Sequence, residues 1–171
     1  MTLQDKIISV AEGYLGQQEI PGNAGFVDSK FEAQMRMVGW DKGQSWCAYF
    51  TELVWKRAFG KPSTFAPALD KLFSPSATAT WANFKGSNIF KTGAVPRPGA
   101  LVVWRYGTGW QGHIGIVTGG INAATGKFPT IEGNTNASGA REGLYVMRKS
   151  RPLLFNQTGS GLNLIGFIYA P

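Results

Sequence analysis

The chain has 171 residues, of which 43% are apolar and 16% charged, and this length and composition suit a globular domain with its own hydrophobic core. Its one cysteine excludes an intrachain disulfide and any zinc or iron–sulfur site built from several cysteines. The net charge of +7 is uneven, because residues 91–171 hold eight Lys or Arg against two Asp or Glu. This asymmetry is typical of a protein that meets a polyanion, with solubility alone as the alternative.

Helical patterns dominate the first half of the chain. Thr2 is a predicted N-cap with Asp5 three residues on, and the apolar stripe that follows predicts a helix that stops at Gly16. Four further helices are predicted: residues 28–38, a well-marked helix that begins near Ser45 or Trp46 and ends before Gly60, and two short pieces near residues 66–73 and 79–85, the last capped by Thr78.

From residue 98 the spacing of apolar residues changes to the alternation of strands. Strands are predicted at residues 100–105, 113–118, 128–132, 143–148 and 162–169. Helices followed by a run of strands are typical of an α+β fold, so we predict N-terminal helices packed on a C-terminal antiparallel sheet. No internal repeat or low-complexity linker divides the sequence, and residues 1–171 are predicted to form a single domain.

The only cysteine, Cys47, opens the well-marked helix. A helix N-terminus presents free N–H groups and a partial positive charge, which favour a thiolate over a thiol and can bind an oxyanion. Cys47 is therefore a candidate nucleophile. The alternative is a small buried cysteine that packs as a hydrophobic residue.

The only histidine, His113, opens a predicted strand, and Gly112 and Gly115 leave room for close approach there. A thiol hydrolase needs an imidazole that contacts the sulfur and returns the proton to the leaving amine. His113 is the candidate for this role, with an ordinary hydrogen-bonded histidine on an edge strand as the alternative.

Glu132 and Asn134 lie two residues apart, so on a strand both side chains would share a face and could point toward His113. An acceptor on the far imidazole nitrogen fixes the tautomer and orientation of the ring. Glu132 suits that role, because a charge directly after the apolar Ile131 is otherwise unusual. Asn134 is predicted either to support it or to orient substrate, and turn chemistry around Gly133 is the alternative for both.

Together these segments resemble the CHAP family (cysteine, histidine-dependent amidohydrolases/peptidases) of peptidoglycan hydrolases, within the NlpC/P60 and papain-like superfamily. The resemblance extends over residues 44–136 and is carried by four motifs in order: Trp46-Cys47-Ala-Tyr-Phe, Pro96-Arg-Pro-Gly-Ala-Leu-Val-Val-Trp, Gly112-His113-Ile-Gly-Ile-Val and Ile131-Glu132-Gly-Asn134-Thr-Asn.

The resemblance implies a papain-like fold, with Cys47 as nucleophile, His113 as general base and then acid, Glu132 as the orienting residue and Asn134 as a supporting polar group. No cofactor is implied. Some relatives bind calcium through carboxylates just before the catalytic cysteine, but here that stretch offers Asp41 alone, so we predict no structural metal.

Three tryptophans are candidate substrate-binding residues: Trp46 before the nucleophile, and Trp104 and Trp110 on either side of the loop before His113. Sugar rings and the methyl groups of stem peptides pack well on aromatic faces. Core packing is the alternative for at least half of the six tryptophans.

The leading hypothesis is a bacterial peptidoglycan hydrolase that cuts either the muramoyl–L-alanine amide or a stem or cross-bridge peptide bond. One alternative is a thiol peptidase, deamidase or acyltransferase that acts on a protein, and another is a non-enzymatic basic module that binds a polyanion. The dispersed basic residues form no run of the kind that binds specific nucleic acid.

No stretch approaches the roughly 18 apolar residues of a membrane span, and the N-terminus does not resemble a secretory signal. We therefore expect synthesis in the cytoplasm and action in the periplasm or cell wall after lysis or delivery, as for a phage lysin or a secreted antibacterial effector. A monomer without a separate wall-binding domain is expected, with peptidoglycan as its partner and an immunity or delivery protein as a further candidate.

Overall fold

A computed structural model describes residues 1–136 and 143–171. Five helices occupy most of the first half of the chain. They are α1 (Leu3–Glu12), α2 (Ser29–Met37), α3 (Cys47–Phe59), α4 (Ala66–Leu72) and α5 (Ala77–Ser87). Among all the described residues, no helix has the length and apolar character needed to cross a membrane.

Among the described residues, eight strands form two sheets. The small sheet pairs β1 (Glu19–Ile20) with β2 (Gly25–Phe26). The strands of the large sheet are β3 (Thr92–Gly93), β4 (Leu101–Tyr106), β5 (Gly112–Val117), β6 (Lys127–Thr135), β7 (Tyr145–Pro152) and β8 (Leu162–Ile168). Their spatial order is β3-β8-β4-β5-β6-β7, and every neighbouring pair is antiparallel. The predicted α+β arrangement, with helices first and an antiparallel sheet second, is confirmed.

The first helix is capped as predicted but ends earlier. Thr2 Oγ1 accepts the N–H of Asp5 at 3.1 Å, and the Asp5 carboxylate accepts the N–H of Thr2 at 3.0 Å, which completes a capping box. The predicted stop at Gly16 is wrong, because α1 ends at Glu12 and the chain continues in turns. The apolar spacing misled the prediction, since Tyr14 packs into the core from a turn rather than from the helix.

The cap predicted for the last helix is also corrected. Ser76, not Thr78, is the N-cap of α5, and its hydroxyl accepts the N–H of Ala79 at 3.3 Å. Both residues are of a capping type, so the sequence did not distinguish them. Thr78 lies in the first turn instead, and its hydroxyl donates to the carbonyl of Trp110 at 2.6 Å.

Hydrophobic clusters cover both faces of the large sheet. On β4, Leu101 and Val103 belong to the cluster shared with the helices, whereas Val102 and Trp104 belong to a smaller cluster on the opposite face. This alternation is the pattern of a strand buried on both sides. The helix α3 lies at the centre of the first cluster, with ten of its thirteen residues buried, so the position of its N-terminus relative to the sheet is closely determined.

Candidate active site

Cys47 is the first residue of α3, and no side chain caps that helix. The N-cap residue, Trp46, makes no side-chain capping hydrogen bond, so the first N–H groups of α3 are open to a ligand. Cys47 is only 7% exposed, but it lines a groove of about 350 Å³ together with His113. The thiol is therefore held in packed surroundings and still faces the space where a substrate can bind.

His113 lies beside both of its predicted partners. Its Nε2 lies 2.8 Å from Oε2 of Glu132, and it lines the same groove as Cys47, which helps to raise the pKa of His113. Because Nε2 is hydrogen-bonded to Glu132, Nδ1 is the nitrogen left to serve Cys47. Cys47, His113 and Glu132 thus come from α3, β5 and β6, and they lie in the order expected of a thiol hydrolase.

The charges of these groups support each other electrostatically. Burial lowers the pKa of His113, but its hydrogen bonds to Cys47 and Glu132 and the charges of both residues outweigh burial and raise the pKa to about 9. Burial raises the pKa of Glu132, but hydrogen bonds from Arg151 and His113 and their positive charges hold that pKa well below its ordinary value. At neutral pH the imidazolium and the carboxylate are therefore both charged.

Glu132 is fully buried and uses both oxygens. Oε1 accepts from the Thr130 hydroxyl at 2.6 Å and from Nε of Arg151 at 2.8 Å. Oε2 accepts from Nη2 of Arg151 and lies next to His113. A buried carboxylate without such partners would be costly, and here each oxygen has two.

Asn134 lies in the groove but is not the partner of His113. The β6–β7 ladder is irregular between Glu132 and Thr135, and Asn134 adopts a left-handed conformation with φ of 54°. The alternation expected of a strand is therefore lost, and the two side chains do not share one acceptor position. Oδ1 of Asn134 is buried and has no hydrogen-bond partner among the described residues, so it is an acceptor available to a ligand in the groove.

The three candidate tryptophans have three different environments. Trp110 is 75% exposed and lines the groove, so it remains a candidate substrate-binding residue. Trp46 is completely buried, and its indole N–H donates to the buried carboxylate of Glu19. Trp104 is 3% exposed and stacks on the imidazole of His113, with ring centroids 5.7 Å apart and an interplanar angle of 27°.

The substrate-binding predictions for Trp46 and Trp104 are therefore corrected. Trp46 packs against aromatic residues of the core, at centroid distances of 5.0 Å to Phe26 and 6.4 Å to Phe50. Trp104 is directly opposite His113 in the β4–β5 ladder, so its ring supports the imidazole from the same face of the sheet. Neither indole reaches the groove.

Two glycines allow the polypeptide to pack closely around the site. A Cβ at Gly115 would lie 2.7 Å from Cγ of Glu132, and a Cβ at Gly133 would lie 2.6 Å from the Trp46 ring and 2.8 Å from Phe50. All three distances are shorter than real side-chain contacts allow. Gly115 thus makes space for the buried carboxylate, and Gly133 lets β6 lie directly against α3.

Sequence reasoning missed the functional position of Gln44. Its Oε1 accepts the N–H of Asp41 at 2.9 Å and the hydroxyl of Tyr49 at 2.9 Å. Because a backbone N–H is always a donor, these bonds identify the amide oxygen and direct the amide NH₂ away from Asp41 and Tyr49. Gln44 lines the groove next to Cys47, so this NH₂ is a candidate hydrogen-bond donor to a substrate.

Sequence reasoning also missed Arg151, because nothing in the pattern of dispersed basic residues distinguishes it from Arg148 on the same strand. Arg148 is exposed and pairs with Glu12 at 2.7 Å. Arg151, by contrast, is largely buried against Glu132. The different environments result from the alternation of β7, in which successive side chains point to opposite faces.

The described residues include no group of three or more His, Cys, Asp or Glu side chains that could hold a metal ion. Asp41, the one carboxylate just before Cys47, is instead bound to Arg36 at 2.9 Å.

Comparison with known families gives an independent finding. The sequence model of the CHAP domain matches residues 39–134, or 96 of the 171 residues. This range contains Cys47, His113, Glu132 and Asn134, and it ends before Arg151. Comparisons with curated proteins and with solved structures gave no match.

Proposed function

The chain belongs to the CHAP domain family, whose members are amidases and peptidases associated with peptidoglycan, and we propose that it hydrolyses an amide bond of bacterial peptidoglycan with Cys47 as its nucleophile. The observation that carries this proposal is the position of His113, which is hydrogen-bonded to the buried Glu132 and lines the same groove as Cys47. The bond is either the muramoyl–L-alanine amide or a peptide bond of the stem or cross-bridge.

The reactive form of the site pairs a Cys47 thiolate with the His113 imidazolium. The raised pKa of His113, about 9, keeps the ring protonated at neutral pH. The N-terminus of α3 contributes its partial positive charge to the thiolate. Glu132 accepts a hydrogen bond from Nε2–H of His113, which leaves Nδ1–H directed at the sulfur.

In the first step, the sulfur of Cys47 attacks the substrate carbonyl and the carbonyl oxygen becomes an oxyanion. We assign its stabilisation to the backbone N–H of Cys47 and the side-chain NH₂ of Gln44, which line the same groove. Donors arranged in advance in this way are among the largest contributions to catalysis, at about 10²–10³-fold in kcat for one donor.

Collapse of the tetrahedral intermediate breaks the carbon–nitrogen bond, and Nδ1–H of His113 gives its proton to the leaving amine. The product of this step is a thioester on Cys47 with a neutral imidazole beside it. His113 then takes a proton from water, the resulting hydroxide attacks the thioester, and the acid product leaves while the thiolate–imidazolium pair forms again.

The groove suits a neutral, polar stretch of substrate. Apart from the Cys47–His113 pair and Arg151, which is paired with Glu132, its described lining is uncharged and includes hydroxyl and amide side chains and the exposed face of Trp110. Away from the groove, basic side chains are exposed at Lys91, Arg97, Lys127 and Arg148. These charges favour binding to the anionic wall, and the groove supplies the contacts to the bond that is cut.

The test is digestion of purified peptidoglycan by the wild-type protein and by Cys47→Ala, with the soluble products identified by mass spectrometry. We expect soluble fragments from the wild type alone, and their masses identify the bond. Equal release by both proteins would refute the nucleophile assignment. No release from several peptidoglycan chemotypes, together with cleavage of a protein substrate, would refute the peptidoglycan assignment.

A further inference from the structure

We propose that Arg151 is a positioning residue, which fixes the carboxylate of Glu132 in line with His113 and weakens the hold of that carboxylate on the imidazolium proton. This inference rests on the proposed catalytic roles of His113 and Glu132. It adds a residue from β7, beyond the part of the chain that the family comparison covers.

The contact between Arg151 and Glu132 is bidentate. Nε of Arg151 donates to Oε1 at 2.8 Å, and Nη2 donates to Oε2, so the planar guanidinium matches the planar carboxylate. Thr130 holds Oε1 from a third direction at 2.6 Å. With both oxygens held, the carboxylate cannot rotate about its last bond, and Oε2 stays 2.8 Å from Nε2 of His113.

The guanidinium is itself held in place by the ring that supports His113. The Arg151 Cζ lies 5.3 Å from the centroid of the Trp104 ring, and the same ring stacks on the imidazole. Arg151, Glu132, His113 and Trp104 therefore form a closed circle of contacts across four neighbouring strands. A shift of any one of them moves the imidazole relative to Cys47.

The charge of Arg151 also matters, because the catalytic cycle requires His113 to lose its proton and regain it. A buried carboxylate with no other partner would hold the imidazolium proton strongly. Arg151 competes for Oε2, and its positive charge opposes that of the imidazolium. Two further titratable groups lie beside these four residues: Cys47, which influences His113, and Tyr106, which influences Arg151.

The experiment uses the fact that His113 is the only histidine in the chain. Its ring protons can be followed by NMR as a function of pH, in a Cys47→Ala background that removes the coupled thiolate and any need for substrate. The variants to compare are Arg151→Met and Arg151→Gln, which remove the charge, and Arg151→Lys, which keeps it. The Gln variant keeps a donor to Glu132 and so serves if the Met variant does not fold.

We expect the pKa of His113 to rise by about 1 unit in both neutral variants and to stay within about 0.5 unit of the parent in Arg151→Lys. An unchanged or lowered pKa in the folded neutral variants would overturn the proposal. The matched control is Arg148→Met on the same strand, which breaks an exposed ion pair with Glu12 and should leave the titration of His113 unchanged.

If Arg151 only stabilised the fold, its replacement would lower the unfolding temperature without this shift in the pKa of His113. Because the titration does not depend on peptidoglycan, it also separates this inference from the proposed function. Failure to digest any wall would leave the expected pKa shift as it is, and an active enzyme with no shift would overturn the role of Arg151 alone.

Discussion

Glu132 and Gly115 face each other on neighbouring strands, so closely that a methyl group on residue 115 would lie 2.7 Å from Cγ of the glutamate. The buried carboxylate occupies the space that a side chain on β5 would otherwise fill. The position of the orienting residue thus depends on a glycine that carries no chemistry of its own, and this dependence can be measured.

We predict that Gly115→Ala displaces Glu132 from His113. We expect kcat to fall at least ~10-fold, because loss of alignment of a catalytic group is costly, and stability to fall by about 1–3 kcal/mol from overpacking. Steady-state kinetics and urea unfolding measure the two effects. Gly120→Ala is the control, since a Cβ at residue 120 meets nothing within 4 Å, and comparable losses in both variants would contradict the prediction.

The titration of His113 gives a second prediction. With a folded-state pKa of about 9 against 6.5 for the unfolded chain, His113 contributes stability that is fully present below pH 6.5 and is lost as the pH rises through about 9. We expect NMR to report a midpoint near 9 in the wild type and a lower midpoint in Glu132→Gln, where the negative charge is gone. An equal midpoint in the two proteins would show that Glu132 does not act on the ring.

A third prediction concerns the amide of Gln44. In Gln44→Glu the side chain can still accept from Asp41 and Tyr49, but it no longer donates into the groove. We expect kcat to fall by about 10²–10³-fold, the usual effect of removing one oxyanion donor, with a smaller change in KM. Gln44→Ala should lose a similar factor, and wild-type turnover in either variant would assign the oxyanion to other donors.

The tryptophans allow a paired test of binding against stability. Trp110→Ala should raise KM and leave the unfolding free energy unchanged, because its ring is exposed at the groove. Trp46→Phe should lower the unfolding free energy by about 1–3 kcal/mol, because the buried carboxylate of Glu19 loses a donor. Chemical denaturation measures the unfolding free energy and steady-state kinetics measure KM for both variants. A raised KM with unchanged stability in Trp46→Phe would instead identify Trp46 as a substrate contact.

The candidate catalytic residues could be selected from the sequence because their types are rare in this chain and their order is informative. A single cysteine at a helix start and a single histidine on a strand leave few alternatives, and Glu132 stands out as a charge beside apolar residues. The helix boundaries were predictable from capping residues and apolar spacing, except at the end of α1, where that spacing continued past Glu12, and at the start of α5, where Ser76 and Thr78 are both of a capping type. The strands β1, β2 and β3 have two residues each and are too short to produce a pattern.

The remaining features depend on contacts between distant parts of the chain. Asn134 departs from the strand alternation because of a left-handed residue in an irregular ladder. Trp46 and Trp104 differ from Trp110 only in what packs around them, and Arg151 differs from Arg148 only in the face of β7 on which it lies. None of these distinctions is local, so periodicity and residue type could not supply them.

The absence of a side chain at Gly133 makes the relative position of Cys47 and His113 dependent on one contact between α3 and β6. Cys47 belongs to the helical layer and His113 to the sheet, and at Gly133 the backbone of β6 lies against Trp46 and Phe50 without a side chain between them. A shift at this contact between α3 and β6 would separate the sulfur of Cys47 from the imidazole of His113 while every helix and strand remained intact. On mild warming, hydrolytic activity is therefore expected to fall before circular dichroism detects any loss of secondary structure.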